Sequence, residues 1–298
     1  MSETILEIKN LTKWYKDIRA IHEVSFSVQR GMVFGILGPN GSGKTTTLGI
    51  LLGVLNATSG SFSWFGNGEK DENRKRIGAL LETPNFFPYL SATENLRIVA
   101  AIKEMDDPES RIDEVLKKVK LYTRKDSDFK TYSLGMKQRL AIASALLSDP
   151  EVLVLDEPTN GLDPQGIAEI RNLINDISKS GKTILIASHQ LDEIEKVCTD
   201  VVILKNGDVI RQSGIESIVE GAKQMVIAAA DSSKMISVLD QLEGARLLEN
   251  NDGWCTIEVT DDLSPEDVNC FFFDKGLVLS ELRVTKKTLE AQFLEITK

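Results

Sequence analysis

The stretch MVFGILGPNGSGKTTT, residues 32–47, joins a short apolar strand to a helix through a glycine-rich loop. Its central part fits the pattern G-x-x-x-x-G-K-[ST] at every specified position, and the strand before and the helix after are the context that this pattern requires. In such a loop successive backbone N–H groups turn inward around a phosphate, and the positive end of the helix dipole faces the same point. We expect Lys44 to bridge the β- and γ-phosphates and Thr45 to ligate magnesium. The predicted nucleotide-binding residues of this loop are Gly38, Pro39, Asn40, Gly41, Ser42, Gly43, Lys44, Thr45 and Thr46.

A second stretch, VLVLDEPTNGLD at residues 152–163, ends an apolar run on two adjacent acids. Residues 152–155 are typical of a strand buried on both faces, where an unpaired charge is costly unless a cation or a specific partner lies there. Asp156 is therefore predicted to face hydrated magnesium, which prefers hard oxygen ligands. Glu157 should point elsewhere because side chains alternate along an extended chain. That leaves Glu157 free to orient and deprotonate an attacking water, unless both acids simply pair with nearby Lys or Arg.

Composition narrows the class of protein. The chain has 298 residues, of which 42% are hydrophobic and 27% charged, as expected of a globular protein of about two domains. A formal charge of −10 argues against nucleic acid as a partner. The N-terminus shows no targeting signal, and no run approaches the roughly 18 apolar residues of a membrane helix. We expect a cytoplasmic chain whose three scattered cysteines are reduced thiols.

The order of predicted elements indicates an α/β fold followed by a smaller α+β domain. Antiparallel strands are predicted at residues 6–11 and 24–28, a helical region at about 85–147, and further strands at 152–155, 183–187 and 201–204 with helices between them. After residue 214 the order becomes β-α-β-β-α-β, the pattern of a ferredoxin-like unit, with a last helix at 287–296. The predicted domains are 1–214 and 215–298.

The segment between the two motifs, Tyr132-Ser133-Leu134-Gly135-Met136, precedes a predicted helix. It resembles the signature motif of ATP-binding-cassette (ABC) ATPases, commonly L-S-G-G-Q, and its position after a helical insertion and before the acid-tipped strand is the family's own order. Ser133 and Gly135 match, whereas Leu134 and Met136 replace a glycine and a glutamine. The resemblance implies a P-loop NTPase fold of ABC type, with a mixed sheet core, an antiparallel β subdomain and a helical subdomain. It also implies that Ser133 and Gly135 contact ATP bound to a second ABC ATPase subunit, so that two cassettes close over two nucleotides.

Further residues match other parts of the family's site. Tyr15 resembles the aromatic residue that stacks on adenine, although Trp14 could take that role and either could be simple packing. Asp163, at the end of Asn160-Gly161-Leu162-Asp163, resembles the D-loop acid at the dimer interface. His189 resembles the switch histidine that senses the γ-phosphate. The predicted catalytic residues are thus Glu157, His189 and Lys44.

Glu82 is the most informative departure from the family pattern. Most members carry glutamine there, a neutral oxygen that approaches magnesium. Glutamate keeps the oxygen and adds a charge that attracts the metal but repels the nearby acids. This acidic version resembles exporter cassettes of peptide-antibiotic and lantibiotic resistance, while an ordinary surface glutamate is the alternative. The predicted metal ligands are Thr45, Glu82 and Asp156.

Residues Phe86, Phe87 and Tyr89 follow Glu82 and offer aromatic area that could be local core or a docking surface for a membrane subunit. The sequence as a whole predicts an ATP-hydrolysing subunit that energises an ABC exporter. It would use ATP and Mg²⁺, form a dimer, expected to be a homodimer, and lie on the cytoplasmic face of the membrane against separate permease subunits. The alternatives are a soluble non-transport ABC ATPase, which usually carries a coiled-coil insertion or two cassettes, and a P-loop kinase. Residues 215–298 are expected to regulate or support the dimer, with Phe271 to Phe273 in the core of that domain.

Overall fold

The structure is a computed structural model that describes residues 3–66, 71–81, 85–219, 223–251, 253–260, 262–285 and 293. The chain forms two compact units, Met1–Gly214 and Ile215–Lys298. The strands of the first unit are β1 (Thr4–Tyr15), β2 (Ile18–Gln29), β3 (Val33–Leu37), β4 (Ser59–Trp64), β5 (Ile77–Leu80), β6 (Val152–Asp156), β7 (Thr183–Ser188), β8 (Asp200–Lys205) and β9 (Asp208–Gly214). Its helices are α1 (Lys44–Leu51), α2 (Asp71–Arg74), α3 (Ala92–Ile102), α4 (Glu109–Lys118), α5 (Leu134–Leu146), α6 (Pro164–Lys179) and α7 (Leu191–Glu195), with 3₁₀ turns at Tyr122–Arg124 and Phe129–Thr131.

A mixed sheet forms the centre of the first unit. In the described part of the chain its strand order is β5-β6-β7-β3-β8-β9, parallel throughout except for β9, which pairs antiparallel with β8. Every residue of β3, β6 and β7 is buried, as expected of parallel strands covered on both faces. Because these three strands are neighbours and parallel, the loops at their carboxyl ends meet at one edge of the sheet.

An antiparallel sheet of order β2-β1-β4 packs against the central sheet. Phe26 of β2 stacks on Phe34 of β3 with 5.3 Å between the ring centroids. The predicted strands at 6–11, 24–28 and 32–37 correspond to β1, β2 and β3, while β4, β5 and β9 were not predicted. β5 has only four residues, β4 is half exposed, and β9 is mostly half-buried, so none of the three carries a long apolar pattern.

Helices α3 to α5 make up most of the region that was predicted to be helical. α3 begins with a capping box, in which Ser91 accepts a hydrogen bond from the Glu94 N–H and the Glu94 carboxylate accepts one from the Ser91 N–H. α5 begins after Ser133, whose hydroxyl accepts a hydrogen bond from the Met136 N–H at 3.3 Å. The start of α5 therefore coincides with the signature segment. No helix in the described ranges is long and apolar enough to cross a membrane.

The second unit is a four-stranded antiparallel sheet covered on one side by helices. After the short α8 (Ile215–Val219) it contains β10 (Lys223–Ala229), α9 (Ser232–Leu239), β11 (Ala245–Asn251), β12 (Trp254–Val259), α10 (Pro265–Asp274) and β13 (Leu279–Thr285), as far as the described residues go. The strand order β11-β12-β10-β13 is that of a ferredoxin-like unit. The predicted last helix at 287–296 lies outside the described residues, apart from residue 293.

The aromatic cluster of the second unit differs from prediction. Residues Phe271 to Phe273 were expected to be core, yet only Phe272 is fully buried, at 0% exposure, whereas Phe273 is 67% exposed. The three residues lie on α10, where successive side chains point about 100° apart, so a run of three cannot share one face. Phe272 packs in the core cluster that also contains Met225 and Ile257.

Replacing Phe272 should destabilise this unit, and Phe273 offers a matched control. We expect Phe272→Ala to lower the free energy of unfolding of residues 223–285 by about 3–5 kcal/mol because a large cavity is left in the core. Phe273→Ala should change it by less than about 0.5 kcal/mol. Hydrogen exchange followed by mass spectrometry on peptides from this unit measures both. Equal protection in the two variants would contradict the assignment of Phe272 as the core residue.

An ion-pair cluster lies at the amino end of β6. Glu151 accepts hydrogen bonds from Arg76 Nε at 2.6 Å and from Arg30 Nη1 at 2.9 Å. The hydrogen bond from Arg76, with a further contribution from Arg30, lowers the pKa of Glu151 from 4.5 to about 2. Since the pKa is lower in the folded state, the cluster stabilises the protein above about pH 4.5 and loses that contribution as the pH falls toward 2.

The variant Glu151→Gln tests this contribution. We expect the free energy of unfolding of the wild type to exceed that of the variant at neutral pH, and the difference to shrink between pH 4.5 and 2. The side chains are more than a third exposed, so the effect should be modest. Urea unfolding at several pH values measures it, and a difference that is constant across this range would refute the coupling.

Candidate functional site

The glycine-rich loop runs from the end of β3 at Leu37 to the first residue of α1, Lys44. Gly43, the residue before α1, has φ = 103°, a left-handed conformation that favours glycine. A Cβ at Gly43 would collide with the side chain of Ile21 and would lie 2.8 Å from the Ala20 carbonyl oxygen. Glycine is therefore required here both by the backbone angle and by the close approach of β2.

Lys44 lies folded over this loop and is only 6% exposed. Its Nζ donates hydrogen bonds to the carbonyl oxygens of Gly38 at 2.7 Å and Pro39 at 3.2 Å. Nζ also lies 3.7 Å from Glu157 Oε1. Burial lowers the pKa of Lys44, and the charges of Glu157 and Asp156 act in the opposite direction. The ammonium group is thus held at the mouth of the loop between backbone carbonyls and carboxylates.

Asp156 and Thr45 meet at the carboxyl end of β6. Thr45 Oγ1 donates a hydrogen bond to Asp156 Oδ2 at 2.8 Å, and Asp156 is 2% exposed. The described residues contain no cluster of three or more His, Cys, Asp or Glu that could hold a metal by themselves. Magnesium is, however, usually bound by one or two carboxylates together with substrate phosphates and water. The hydroxyl and carboxylate oxygens here fit magnesium that arrives with a nucleotide; the third predicted ligand, Glu82, lies outside the described residues.

Glu157 and His189 form a pair beside the loop. His189 Nδ1 lies 2.9 Å from Glu157 Oε2, and the Ser188 hydroxyl lies 3.4 Å from the same oxygen. Glu157 diverges from Asp156 for a reason that differs from the predicted strand alternation. β6 ends at Asp156, and Glu157 has φ = 48°, in the left-handed region, so the chain turns there. The turn directs the Glu157 carboxylate toward Lys44 and His189.

The signature segment, residues 132–136, and the D-loop, residues 160–163, meet in a groove of about 470 Å³, which we call the second groove to distinguish it from the phosphate loop. Ser133, Gly135 and Asp163 are among the residues that line this groove. Asp163 also caps α6 by accepting a hydrogen bond from the Gly166 N–H at 2.8 Å. Leu134 is 46% exposed, and a Cβ at Gly161 would lie 3.3 Å from its Cδ2. The predicted site residues therefore fall into two groups within one protomer.

Tyr15 ends β1 and is 42% exposed, and its neighbour Trp14 is 43% exposed. Both aromatic side chains are therefore accessible to a base. The ammonium group of Lys13 lies 5.0 Å from the centroid of the Tyr15 ring. Their exposures are nearly equal, so exposure does not distinguish Tyr15 from Trp14 as the residue that stacks on adenine.

The aromatic residues after Glu82 differ in exposure, and Phe86 is half-buried. Phe86 packs edge-on against Phe129 with 5.2 Å between the centroids, whereas Phe87 and Tyr89 are 47% and 65% exposed. The backbone that carries Phe87 is fixed by Asn95, whose amide oxygen accepts from the Phe87 N–H at 2.8 Å and whose amide nitrogen donates to the Phe87 carbonyl at 3.1 Å. The exposed pair is thus presented on a well-anchored loop.

Several polar residues around Glu157 were not predicted from the sequence, namely Thr159, Ser188 and Gln190. Ser188 and Gln190 flank His189, and Thr159 follows Glu157 by two positions. Ser188 is the last residue of β7, at the same sheet edge as Asp156, and a polar residue at the end of a fully buried strand is the signal that could have identified it.

Comparisons with known proteins agree with these features. A family model described as ABC transporter matches residues 21–160. The bacitracin transport ATP-binding protein BcrA of Bacillus licheniformis is 37% identical over 300 residues, covering 98% of this chain and 97% of BcrA. The lantibiotic transport ATP-binding protein SrtF of Streptococcus pyogenes is 39% identical over 206 residues, covering 69% of this chain and 89% of SrtF. A dimeric structure of the ATP-binding cassette MJ0796 in a post-hydrolysis state with ADP and Pi matches with a TM-score of 0.63 and 29% identity, over 71% of this chain and 99% of that one.

The predicted fold class and the resemblance to ABC ATPases are both confirmed by these findings. With the phosphate loop, the acid-tipped strand and the signature segment in the family's order, and a relative that matches along nearly its whole length, this chain belongs to the ABC transporter family as an ATP-binding subunit that hydrolyses ATP.

Proposed function

We propose that this protein energises an exporter of peptide antibiotics by hydrolysing Mg²⁺·ATP in a dimer bound to separate membrane subunits. The observation that carries the proposal is the convergence of Lys44, Thr45, Asp156, Glu157 and His189 at the carboxyl edge of three adjacent strands. The transported class is suggested by relatives that are named for bacitracin and lantibiotic transport.

Hydrolysis would proceed by in-line attack of water on the γ-phosphate. Glu157 orients this water and accepts its proton, while His189, 2.9 Å from Glu157 Oε2, contacts the γ-phosphate. Lys44 and the loop N–H groups stabilise the negative charge on the phosphates, and this stabilisation is strongest in a site shielded from water. The Lys44 ammonium group lies between two loop carbonyls and Glu157, at the loop that would hold the phosphates.

Magnesium would neutralise phosphate charge and orient the triphosphate. Thr45 and Asp156 would hold it, and we retain Glu82 as a third oxygen ligand on the basis of its position in the sequence. The nucleotide base would stack on Tyr15, which is two-fifths exposed.

The second groove would receive the nucleotide of the partner subunit. Ser133 lies at the amino end of α5, where a hydroxyl, backbone N–H groups and the helix dipole all favour a phosphate. Gly135 and Asp163 line the same groove. A homodimer closed face to face would bring each phosphate loop opposite the partner's groove, and the dimeric structure of MJ0796 supports such an assembly.

The membrane subunits would dock beside Glu82. Phe87 and Tyr89 together expose apolar area on a loop that Asn95 anchors, which suits a surface for a short helix from a permease. The chain would then lie on the cytoplasmic face of the membrane.

In this proposal residues 1–214 form the ATPase domain and residues 215–298 an accessory domain. The relatives are named as transport proteins, which argues against the alternatives of a non-transport ATPase and a kinase.

The variant Glu157→Gln tests the proposed base. We expect it to bind ATP with wild-type affinity and to hydrolyse it about 10²–10⁴-fold more slowly, because an amide cannot accept the proton. The variant should also accumulate as an ATP-loaded dimer. Glu151→Gln, the same change outside the site, should leave turnover at neutral pH unaltered. Phosphate release and size-exclusion chromatography with light scattering measure these properties, and near-normal turnover of Glu157→Gln would remove it from this role.

The same variant tests the transport proposal. In a bacitracin-sensitive host, the wild type co-expressed with its membrane subunits should raise the inhibitory concentration of a peptide antibiotic, and Glu157→Gln should not. Resistance that survives in Glu157→Gln, or its absence with the wild type against bacitracin and lantibiotics, would contradict this transported class.

Glu82→Gln tests the acidic residue at the family's glutamine position. Removing one negative charge while keeping the oxygen should raise the magnesium concentration needed for half-maximal turnover several-fold and change ATP affinity less. ATPase assays titrated with magnesium, with and without the membrane subunits, measure this. Unchanged magnesium dependence and transport would assign Glu82 to the ordinary surface.

A further inference from the structure

A chain of hydrogen bonds lies behind Glu157 and joins the loops that follow β6 and β7. Ser188, the last residue of β7, is 2% exposed, and its hydroxyl lies 3.4 Å from Glu157 Oε2, to which it donates. The same hydroxyl accepts a hydrogen bond from the Gln190 N–H at 3.0 Å. Ser188 is therefore held on one side by Gln190 and contacts the carboxylate on the other.

The side chain of Gln190 continues this chain back to the first loop. Its Oε1 accepts a hydrogen bond from the Thr159 hydroxyl at 3.1 Å, and Thr159 is 5% exposed. Because Thr159 lies two residues after Glu157, the contacts close a ring from Glu157 through Ser188 and Gln190 to Thr159. Gln190 precedes α7 but makes no side-chain cap to that helix, so its amide is available for Thr159.

The backbone at Glu157 explains why such support is needed. A non-glycine residue in the left-handed region, here with φ = 48°, is strained and persists only where its surroundings hold it. The Glu157 N–H donates to the Ala187 carbonyl at 2.9 Å, which fixes the backbone. The carboxylate itself, however, is aimed by side chains, among them His189 at 2.9 Å and Ser188 at 3.4 Å.

We propose that Thr159 and Gln190 are positioning residues for ATP hydrolysis: their hydrogen bond fixes Gln190, Gln190 fixes the Ser188 hydroxyl, and Ser188 aims the carboxylate of Glu157 at the attacking water. The inference rests on the proposed role of Glu157 as the base. Neither Thr159 nor Gln190 needs to touch the nucleotide, since both act through Ser188.

The expected effect of breaking the pair is partial. His189 and Lys44 still contact the Glu157 carboxylate when the pair is lost, so the base stays in the site but is less well aimed. Misplacement of a reacting group by about 1 Å can lower a rate about 10²-fold, and a smaller displacement should lower it less. We expect kcat to fall about tenfold while KM for ATP is unchanged, because the phosphate loop is not altered.

The test uses the full-length protein and four variants. Thr159→Val removes the hydroxyl and keeps the shape of the side chain, Gln190→Leu removes the acceptor, and the double variant removes both. Thr159→Ser restores the donor and is the conservative control. We expect both single variants to lose about tenfold in kcat, the double variant to lose no more than either single variant, and Thr159→Ser to approach the wild type.

Three results would overturn the inference: wild-type kcat in Thr159→Val, losses that multiply in the double variant, or a Thr159→Ser variant as slow as Thr159→Val. A fall in kcat that is matched by a fall in the fraction of folded protein would also overturn it, since the residues would then be merely structural. Glu157→Gln separates this failure from that of the proposed function. Full turnover in Glu157→Gln would show that Glu157 is not the base. An inactive Glu157→Gln, together with normal turnover in Thr159→Val and Gln190→Leu, would overturn only the positioning role of the pair.

Discussion

The site depends on the burial of charge at the carboxyl ends of three buried parallel strands, β6, β7 and β3. Asp156 and Lys44 are 2% and 6% exposed, and buried charges are destabilising unless they are paired and hydrogen-bonded. The protein meets this requirement locally, with Thr45 donating to Asp156 at 2.8 Å and Lys44 donating to two loop carbonyls. Because these groups are already shielded from water, the proposed interactions with phosphate and magnesium would need little further desolvation.

Strand order turns this edge into a site. β6, β7 and β3 are adjacent and parallel, so the loops that carry Glu157, His189 and Lys44 emerge side by side although they are far apart in sequence. Two left-handed residues then set the directions of the chain: Gly43, at φ = 103°, immediately precedes α1, and Glu157, at φ = 48°, immediately follows β6. Only the first of these positions carries glycine. The strain at Glu157 has to be balanced by the contacts of the neighbouring loop after β7.

The sequence allowed the buried strands, the phosphate loop and the acids to be predicted because each depends on local pattern. β3 and β6 are continuous apolar runs, and the Gly-Lys-Thr spacing is almost specific by itself. The strands β4, β5 and β9 were not predicted because they are short or only partly buried, and they depend on their partner strands. The left-handed turn at Glu157 and the Thr159–Gln190 bond could not be predicted either, since the bond joins residues 31 positions apart.

Leu134, which departs from the signature motif, is also accommodated by a contact with a neighbouring loop. In the proposed role of this segment, a phosphate would be bound by the Ser133 hydroxyl and the N–H groups at the start of α5, and neither depends on the side chain at position 134. Leu134 is 46% exposed and lies over Gly161, which has φ = 74° and no side chain. A larger residue at Gly161 would press on Leu134, since its Cβ would lie 3.3 Å from Cδ2. Leu134 at the start of α5 and Gly161 on the D-loop are therefore complementary in size, because the glycine leaves room for the leucine side chain.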